Sequence, residues 1–247
     1  MPGILHPFKP TAAAVIACVA LAGCEAPFTA SMTDGVPLAE LDRSGKAPAA
    51  LMLAAPDRVI VSEGDALDIA VSGSREATER LRFSLEDGEL SIMREGDWRD
   101  RGVATVRVIM PRLQEITLAG SGMLEAAALG GEEAEATVAG SGRLTVAKVS
   151  ARSLEVNIMG SGQIEAAGRA DQLELNVAGS GSSRMRGLKV DRAEVTVAGS
   201  GDGEFSSDGS VEADVAGSGT VIIHGKARCM VSAMGSGDVI CRHRPAE

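Results

Sequence analysis

The stretch EATVAGSGRLTV, residues 135–146, shows one unit of the pattern that decides the fold. Apolar and polar residues alternate on both sides of a Gly-Ser-Gly tripeptide, which occurs seven times. Successive tripeptides begin 20, 20, 19, 20, 18 and 18 residues apart. A period of this kind is typical of solenoids, in which each unit packs only against its neighbours. The glycines are predicted to form structural corners: Gly120, Gly122, Gly140, Gly142, Gly160, Gly162, Gly179, Gly181, Gly199, Gly201, Gly217, Gly219, Gly235 and Gly237.

Apolar residues recur at fixed distances from each corner. The position two residues before the first glycine holds Leu118, Val138, Ile158, Val177, Val197, Val215 and Ala233. Because alternate side chains of a strand share one face, each coil is predicted to contribute two strands that meet at the corner and enclose a narrow core. Coils stacked in parallel at ~4.8 Å would form a solenoid about 30 Å long. The fold class is therefore all-β, a parallel β-helix of about 6–7 coils of 18–20 residues.

Period-two patterns before the repeat predict two β-hairpins that cap the first coil. One would join residues 59–61 to residues 67–71, and the other would join residues 81–85 to residues 90–92. The Asp-Gly pair at 87–88 suits the tight primed turn of the second hairpin. A cap is expected because an exposed first coil leaves an open sheet edge. Residues 57–247 are predicted to be a single β-helix domain, with capping strands over 57–112 and coils over 113–241.

The N-terminus has the features of an export signal. Residues 1–23 carry Lys9 and then an apolar run that is too short to span a bilayer. Their end, Leu21-Ala22-Gly23-Cys24, resembles the lipobox of bacterial lipoproteins, which implies lipidation of Cys24 and a membrane anchor. With Glu25 after the cysteine, the resemblance implies the outer membrane, with the domain facing the periplasm or the cell surface. An ordinary cleaved signal is the alternative.

Residues 24–56 are predicted to be the lipidated cysteine and a flexible tether. They contain four prolines, many alanines and no sustained period. A flexible chain of this length would hold the domain about 30 Å from the membrane. Whether the apolar piece 49–55 packs on the domain instead is left open by the sequence.

Two motifs resemble one known family. Leu90-x-Ile92 and the run from Val106 to Ile116, which includes Pro111 and Leu113, precede repeated apolar-x-x-Gly-Ser-Gly-x-apolar units. This order resembles the head GIN domain family of the auto-transporter adhesin type over roughly residues 57–241. The resemblance implies an exported bacterial protein, often a lipoprotein, with a right-handed β-helix. The chain departs from the family at residues 223–227, where members often show Tyr-x-Gly-x-Pro.

Composition and motifs narrow the class of function. The formal net charge is −10, tyrosine is absent and tryptophan occurs once, so nucleic acid is not an expected partner. Nucleophile-elbow, zinc-protease and phosphate-loop motifs are absent from the sequence. We therefore predict a non-catalytic binding or structural role, without a cofactor, toward an envelope or cell-surface protein or glycan. An enzyme acting on envelope polysaccharide is the alternative.

A glutamate column lies five residues before the corners, with Met230 in the last coil. Its members are Glu115, Glu135, Glu155, Glu174, Glu194 and Glu212, and a polar column two residues later holds Thr117, Thr137, Asn157, Asn176, Thr196, Asp214 and Ser232. By parity both columns face outward and form the candidate contact face. One interpretation is solubility of an exposed sheet. The other is binding of divalent cations or of a cationic partner by carboxylate, hydroxyl and amide oxygens.

Cys229 and Cys241 lie six residues before and six residues after Gly235, both with inward parity. In an oxidising export compartment this symmetry predicts a disulfide in the last coil. A metal site formed by these cysteines with His224 and His243 is the rival interpretation, although its spacing matches no standard zinc pattern.

Overall fold

The structure is a computed structural model and describes residues 35–96 and 102–242. The predicted signal, Cys24 with the first part of the tether, and His243 lie outside the described residues. A short 3-10 helix spans Leu38–Glu40 and a single-turn helix α1 spans Arg75–Thr78. The strands are β1 (Ala50–Ala54), β2 (Arg58–Glu63), β3 (Asp68–Gly73), β4 (Leu81–Glu86), β5 (Glu89–Arg94), β6 (Ala104–Met110), β7 (Glu115–Gly120), β8 (Met123–Ala126), β9 (Leu129–Gly140), β10 (Arg143–Gly160), β11 (Gln163–Gly179), β12 (Ser182–Gly199), β13 (Asp202–Gly217), β14 (Thr220–His224), β15 (Arg228–Gly235) and β16 (Asp238–Arg242).

The strands form a parallel β-solenoid of about 6 turns, which confirms the predicted fold class. From β10 to β13, each long strand covers one coil from one Gly-Ser-Gly corner to the next, and neighbouring coils pair in parallel. The register aligns each corner with the next, as in the pairs Gly160 with Gly179 and Gly179 with Gly199. Small register shifts occur only opposite the corner, for example between Val146 and Val149. The varying coil length is therefore absorbed on the side away from the glycines.

The N-terminal strands differ from the predicted capping hairpins. Strand β2 does not pair with β3, so the first predicted hairpin is wrong. Instead, β2 pairs in parallel with both β6 and β8, and β1 pairs in parallel with both β5 and β7. Strands β1 and β2 thus form one further coil, which is inserted between the coil of β5 and β6 and the coil of β7 and β8. Sequence order could not show this, because the strands that pair with β1 and β2 follow only after β3 and β4 in the chain.

The second predicted hairpin is confirmed. Strands β4 and β5 pair antiparallel, and Asp87 and Gly88 turn between them with φ of 51° and 84°. Both residues lie in the left-handed region that a primed two-residue turn requires. Strand β3 pairs antiparallel with β6 on the other face. Antiparallel strands therefore lie outermost on both faces of the solenoid at its N-terminal end.

The predicted tether ends earlier than Pro56. Val36 and Phe83 exchange two backbone hydrogen bonds of 2.9 and 2.8 Å, and residues 50–54 form β1. Leu51 and Leu53 of β1 are fully buried in the core. The apolar piece 49–55, which the sequence left open, is therefore part of the folded domain, because its leucines fill the inward positions of a coil.

The core is the ladder of inward positions that the repeat predicts. Leu118, Val138, Ile158, Val177, Val197 and Val215 are aligned along it, and all are buried. Phe205 is the largest side chain of the repeat and is also fully buried. The inward residues of the last coil are more exposed, since within the described residues no further coil covers them; Val231 has half of its surface accessible.

Close backbone stacking explains the two corner glycines. The first glycine adopts φ between 111° and 137°, a region that L side chains rarely adopt. At Gly160, a Cβ would also lie 2.7 Å from the carbonyl oxygen of Gly140 in the preceding corner. The corner amides bond along the stack, as Ser161 N–H donates to Gly140 O at 2.9 Å. The second glycine is needed for space, because a Cβ at Gly162 would collide with Val138 Cγ1.

A buried ion pair joins the rearranged N-terminal coils. The carboxylate of Asp57 accepts a hydrogen bond from Ala104 N–H at 2.6 Å and pairs with the Arg94 guanidinium, with both side chains inaccessible to solvent. Arg94 also donates from Nη1 to Gly102 O at 3.0 Å, and Met123 N–H donates to the Asp57 carbonyl at 2.9 Å. Burial raises the pKa of Asp57, against the opposing effects of the Ala104 N–H and Arg94. One aspartate thus connects β5, β6 and β8.

The predicted disulfide between Cys229 and Cys241 is present. It joins β15 to β16 and shows that these strands face each other across the last coil. The rival metal site is wrong for its described members, since both cysteines are in the disulfide and His224 Nε2 instead pairs with Glu204 Oε1 at 2.7 Å.

The close stacking at the corners predicts that adding one methyl group to a corner glycine destabilises the protein. We expect Gly160→Ala to lower the free energy of unfolding by about 1–3 kcal/mol, because alanine adopts this φ only with strain and its Cβ meets Gly140 O. Gly45→Ala is the control, since a Cβ there has no neighbour within 4 Å. Urea denaturation followed by circular dichroism measures both. Equal stability of the two variants would contradict the constraint.

The ion pair predicts a larger effect at Asp57. We expect Asp57→Ala to cost about 3–5 kcal/mol, because it leaves the Arg94 charge buried without a partner. The matched control is Asp68→Ala, whose exposed pair with Arg43 at 3.8 Å should be worth less than about 1 kcal/mol. Thermal and urea unfolding compare the two, and a small loss at Asp57 would show that the pair does not hold the coils together.

Candidate functional site

The glutamate column is a continuous row on the outer side of the solenoid. Glu115, Glu135, Glu155, Glu174, Glu194 and Glu212 are direct neighbours in successive coils, and Met230 follows them. At the N-terminal end the row continues through Ala50 to Glu89. The first three carboxylates of the repeat are half-buried and the last three are exposed. Stacking identical coils produces this row directly, because equivalent residues lie one strand spacing apart, ~4.8 Å.

The polar column beside it supplies hydrogen bonds to these carboxylates. Thr137 Oγ1 donates to Glu135 Oε1 at 2.8 Å, and Asn157 Nδ2 donates to Glu155 Oε1 at 2.8 Å. The next coil repeats the arrangement, with Asn176 Nδ2 donating to Glu174 Oε1 at 3.1 Å and to Asn157 Oδ1 at 3.2 Å. Each donor lies two residues after its glutamate on the same strand face. These bonds orient the carboxylates.

A groove runs along the other side of the glutamate column. Its N-terminal part, about 550 Å³, is lined by Gln114, Glu115, Glu132, Glu133, Ala134, Glu135, Ser153 and Glu155. Its C-terminal part, about 330 Å³, is lined by Ser153, Gln172, Leu173, Glu174, Arg192, Ala193, Glu194, Ser210, Val211, Glu212 and Met230. The two parts meet at Ser153, and together their lining residues come from successive coils.

The far wall of the groove is a third outward column, which sequence reasoning missed. It lies two residues before the glutamates and contains Glu133, Ser153, Gln172, Arg192, Ser210 and Arg228. Its residue type changes in every coil, so it gave no repeated signal. Only the parity of the strand could have indicated that it faces outward.

The electrostatics differ between the two ends of the groove. In the N-terminal part the ionisable residues are glutamates, and in the C-terminal part Arg192 joins them. Burial raises the pKa of Glu115, and the charges of Glu135 and Glu89 raise it further. At Glu115, neighbouring carboxylates therefore repel one another, and a positively charged group there would relieve the repulsion.

The glutamate column places its carboxylates in a row. Among residues 35–96 and 102–242, no group of three or more His, Cys, Asp or Glu side chains is placed to hold a metal ion. The carboxylates are instead spread in single file with hydroxyl and amide groups between them. In the same part of the chain, no helix has the length and apolar character needed to cross a membrane.

Comparison with protein families gives one match. The family described as "Putative auto-transporter adhesin, head GIN domain" matches residues 47–227. The matched range begins just before β1 and ends before the disulfide-linked last coil. It therefore includes the inserted coil of β1 and β2 and most of the groove. No curated protein matches the chain.

Solved structures share the fold. A protein of Bacteroides fragilis described as a putative adhesin superimposes with a TM-score of 0.70 at 18% identity, covering 78% of this chain and 92% of the other. A protein of Parabacteroides distasonis described as a putative lipid binding protein has a TM-score of 0.63 at 21% identity, covering 79% and 93%. A putative adhesin of Parabacteroides merdae has a TM-score of 0.61 at 17% identity, covering 80% and 93%. At these identities the likeness shows the fold alone.

The raised pKa of Glu115 predicts a pH-dependent substitution effect. A carboxyl group with a raised folded-state pKa favours folding below its unfolded pKa, and this contribution is lost as the pH rises through the folded value. We expect Glu115→Gln to raise the free energy of unfolding near pH 7 by about 1 kcal/mol, and the gain should vanish near pH 3, where the wild-type group is also neutral.

Urea titrations at the two pH values measure this difference. Glu63→Gln serves as the control, because Glu63 is exposed and lies outside the column, so its substitution should change stability by less than about 0.5 kcal/mol. A Glu115→Gln variant that is less stable than the wild type at neutral pH would mean that the column does not repel itself.

Proposed function

We propose, from the premise that this chain belongs to the head GIN domain family, that it is a non-catalytic binding protein of the cell envelope. The groove beside the glutamate column, whose two parts meet at Ser153, carries the proposal. It crosses successive coils without a long loop or an inserted domain, so an extended partner can contact several equivalent carboxylates at once. Repetition of one weak contact along a line is how a solenoid face achieves affinity.

The chemistry of the groove indicates the class of partner. Carboxylates with neighbouring hydroxyl and amide groups attract cationic and hydroxyl-bearing groups and repel anionic polymers. We therefore propose an envelope or cell-surface protein with an exposed basic segment, or a glycan with amino groups. The overall net charge of −10 acts in the same direction and disfavours nucleic acid.

Attachment to the membrane is proposed to occur through Cys24. The sequence Leu21-Ala22-Gly23-Cys24 supports lipidation, and acyl chains would anchor the chain without a membrane-spanning helix. Because Val36 is already bound to β4, the tether would be confined to the residues before it. The groove would then be held close to the membrane, on the periplasmic side or at the cell surface.

Affinity capture from envelope extract tests the proposal. We expect wild-type protein to retain a partner that the triple variant Glu135→Gln, Glu155→Gln, Glu174→Gln binds at least about tenfold more weakly, since three aligned charges are removed. The matched control is Glu63→Gln, Glu76→Gln, Glu86→Gln, which removes three exposed carboxylates outside the groove. Equal retention by both variants would reject the groove as the contact site.

The same experiment separates the competing functions. Capture that requires millimolar calcium and is abolished by chelator would show that the column acts through divalent cations. Recovery of a shortened glycan after incubation would show an enzyme and overturn the non-catalytic role. Capture that is independent of calcium and leaves its partner intact supports the proposed function.

A further inference from the structure

The last coil is an open end of the solenoid. Within residues 35–96 and 102–242, β15 pairs only with β13 and β16 only with β14, so each strand has one free edge. Large apolar side chains are exposed here: Met230 by 64%, Val231 by 50%, Met234 by 71% and Ile240 by 37%. Unpaired strand edges with apolar side chains are a template for pairing with another chain.

The opposite end of the solenoid carries strands of reversed direction. Strands β3 and β4 lie antiparallel on the outermost coil, and the edge of β4 carries the bridge between Val36 and Phe83. The C-terminal end therefore cannot continue onto the N-terminal end of another copy as a regular parallel coil. Head-to-tail stacking, which would produce an unlimited filament, is disfavoured by this reversal of strand direction.

We propose that the open end is the contact surface for a second copy of this chain, in a closed two-fold dimer. In it, β15 pairs antiparallel with β15 of the second copy, and β16 pairs antiparallel with β16. A single extended peptide could cover only one of the two strands. A second solenoid end has the same cross-section and covers both edges together with the exposed core residues between them.

The positions of the two strands allow one axis to serve both. Since the disulfide joins Cys229 to Cys241, the neighbouring residues Met230 and Ile240 lie opposite one another across the coil. A two-fold axis that passes through both residues places β15 antiparallel to β15 of the second copy and β16 antiparallel to β16 of the second copy. Met230 then meets Met230 of the second copy, and Ile240 meets Ile240 of the second copy.

The backbone groups fit the same axis. In the glutamate column, Glu135 N–H donates to the preceding coil at Gln114 O, and on the other face Asp238 N–H donates to Gly219 O. Successive residues of a strand point their backbone groups to opposite sides. The backbone N–H and C=O groups of Met230 and Ile240 therefore point toward the preceding coil. The residues that flank them present their free backbone N–H and C=O groups to the second copy. Met230 and Ile240 each form a non-hydrogen-bonded pair with the same residue of the second copy, and side chains approach most closely in such pairs.

The charges are self-complementary in this register. About the axis at Ile240, Asp238 lies opposite Arg242 of the second copy, so β16 gains two opposite-charge pairs. On the other face, Met230 stands where the six preceding coils have glutamate. A glutamate there would place two carboxylates against each other on the axis, whereas methionine buries its side chain. Met230 thus interrupts the glutamate column at a position where the dimer requires an uncharged side chain.

Sedimentation equilibrium of the full chain in mild detergent, over a concentration series, tests the dimer. We expect a mass of two chains for the wild type. Met230→Glu should raise the dimer dissociation constant at least about tenfold by placing like charges opposite each other. Met159→Glu is the matched control, because Met159 is exposed by 51% in the middle of the solenoid, and it should leave the dimer intact.

A second set of variants, which exchanges the charges on β16, tests the dimer without relying on Met230→Glu. Asp238→Arg should weaken the dimer, and the double variant Asp238→Arg, Arg242→Asp should restore it, because the opposite charges are exchanged across the axis. Circular dichroism confirms that each variant is folded. A wild-type monomer at every concentration, a dimer that Met230→Glu leaves intact, or a double variant no tighter than Asp238→Arg would each overturn the proposal.

Discussion

Close stacking of backbone at the Gly-Ser-Gly corners is the constraint on which the rest of this structure depends. At each corner a glycine carbonyl lies where the Cβ of the next corner's glycine would be, and the amide of the following serine bonds to that carbonyl. This fixes one register for all coils. Differences in coil length are moved to the opposite side, where register shifts are tolerated.

A fixed register turns every repeated residue into a column. The inward columns of valine, leucine and alanine form a continuous core, and the outward column of glutamate becomes a line of like charges. Like charges in line cost stability, and at Glu115 the charges of Glu135 and Glu89 add to the effect of burial in raising the pKa. Threonine and asparagine two residues later offset part of this cost by donating to the carboxylates. The same polar rows border the groove, so the surface chemistry is a consequence of the stacking.

The two ends of the solenoid differ in the strands that terminate them. At the N-terminal end, β1 and β2 are inserted beneath the coil of β5 and β6, and Asp57 and Arg94 connect these layers in the interior. Antiparallel strands β4 and β3 then lie outermost on the two faces. At the C-terminal end a disulfide holds the last coil, yet its strand edges and its inward residues remain exposed. The disulfide therefore stabilises the last coil without covering it.

The sequence alone determined the repeat, the corners, the core parity, the glutamate column and the disulfide, because each depends on spacing within one coil or between identical coils. The Asp87-Gly88 hairpin was also predictable, since a turn of this kind is local. Only the tertiary structure decided that β1 and β2 form an inserted coil, that Asp57 pairs with Arg94, and that Ser153, Gln172 and Arg192 form the far wall of a groove. These features join residues without a common period, and only packing between distant segments brings them together.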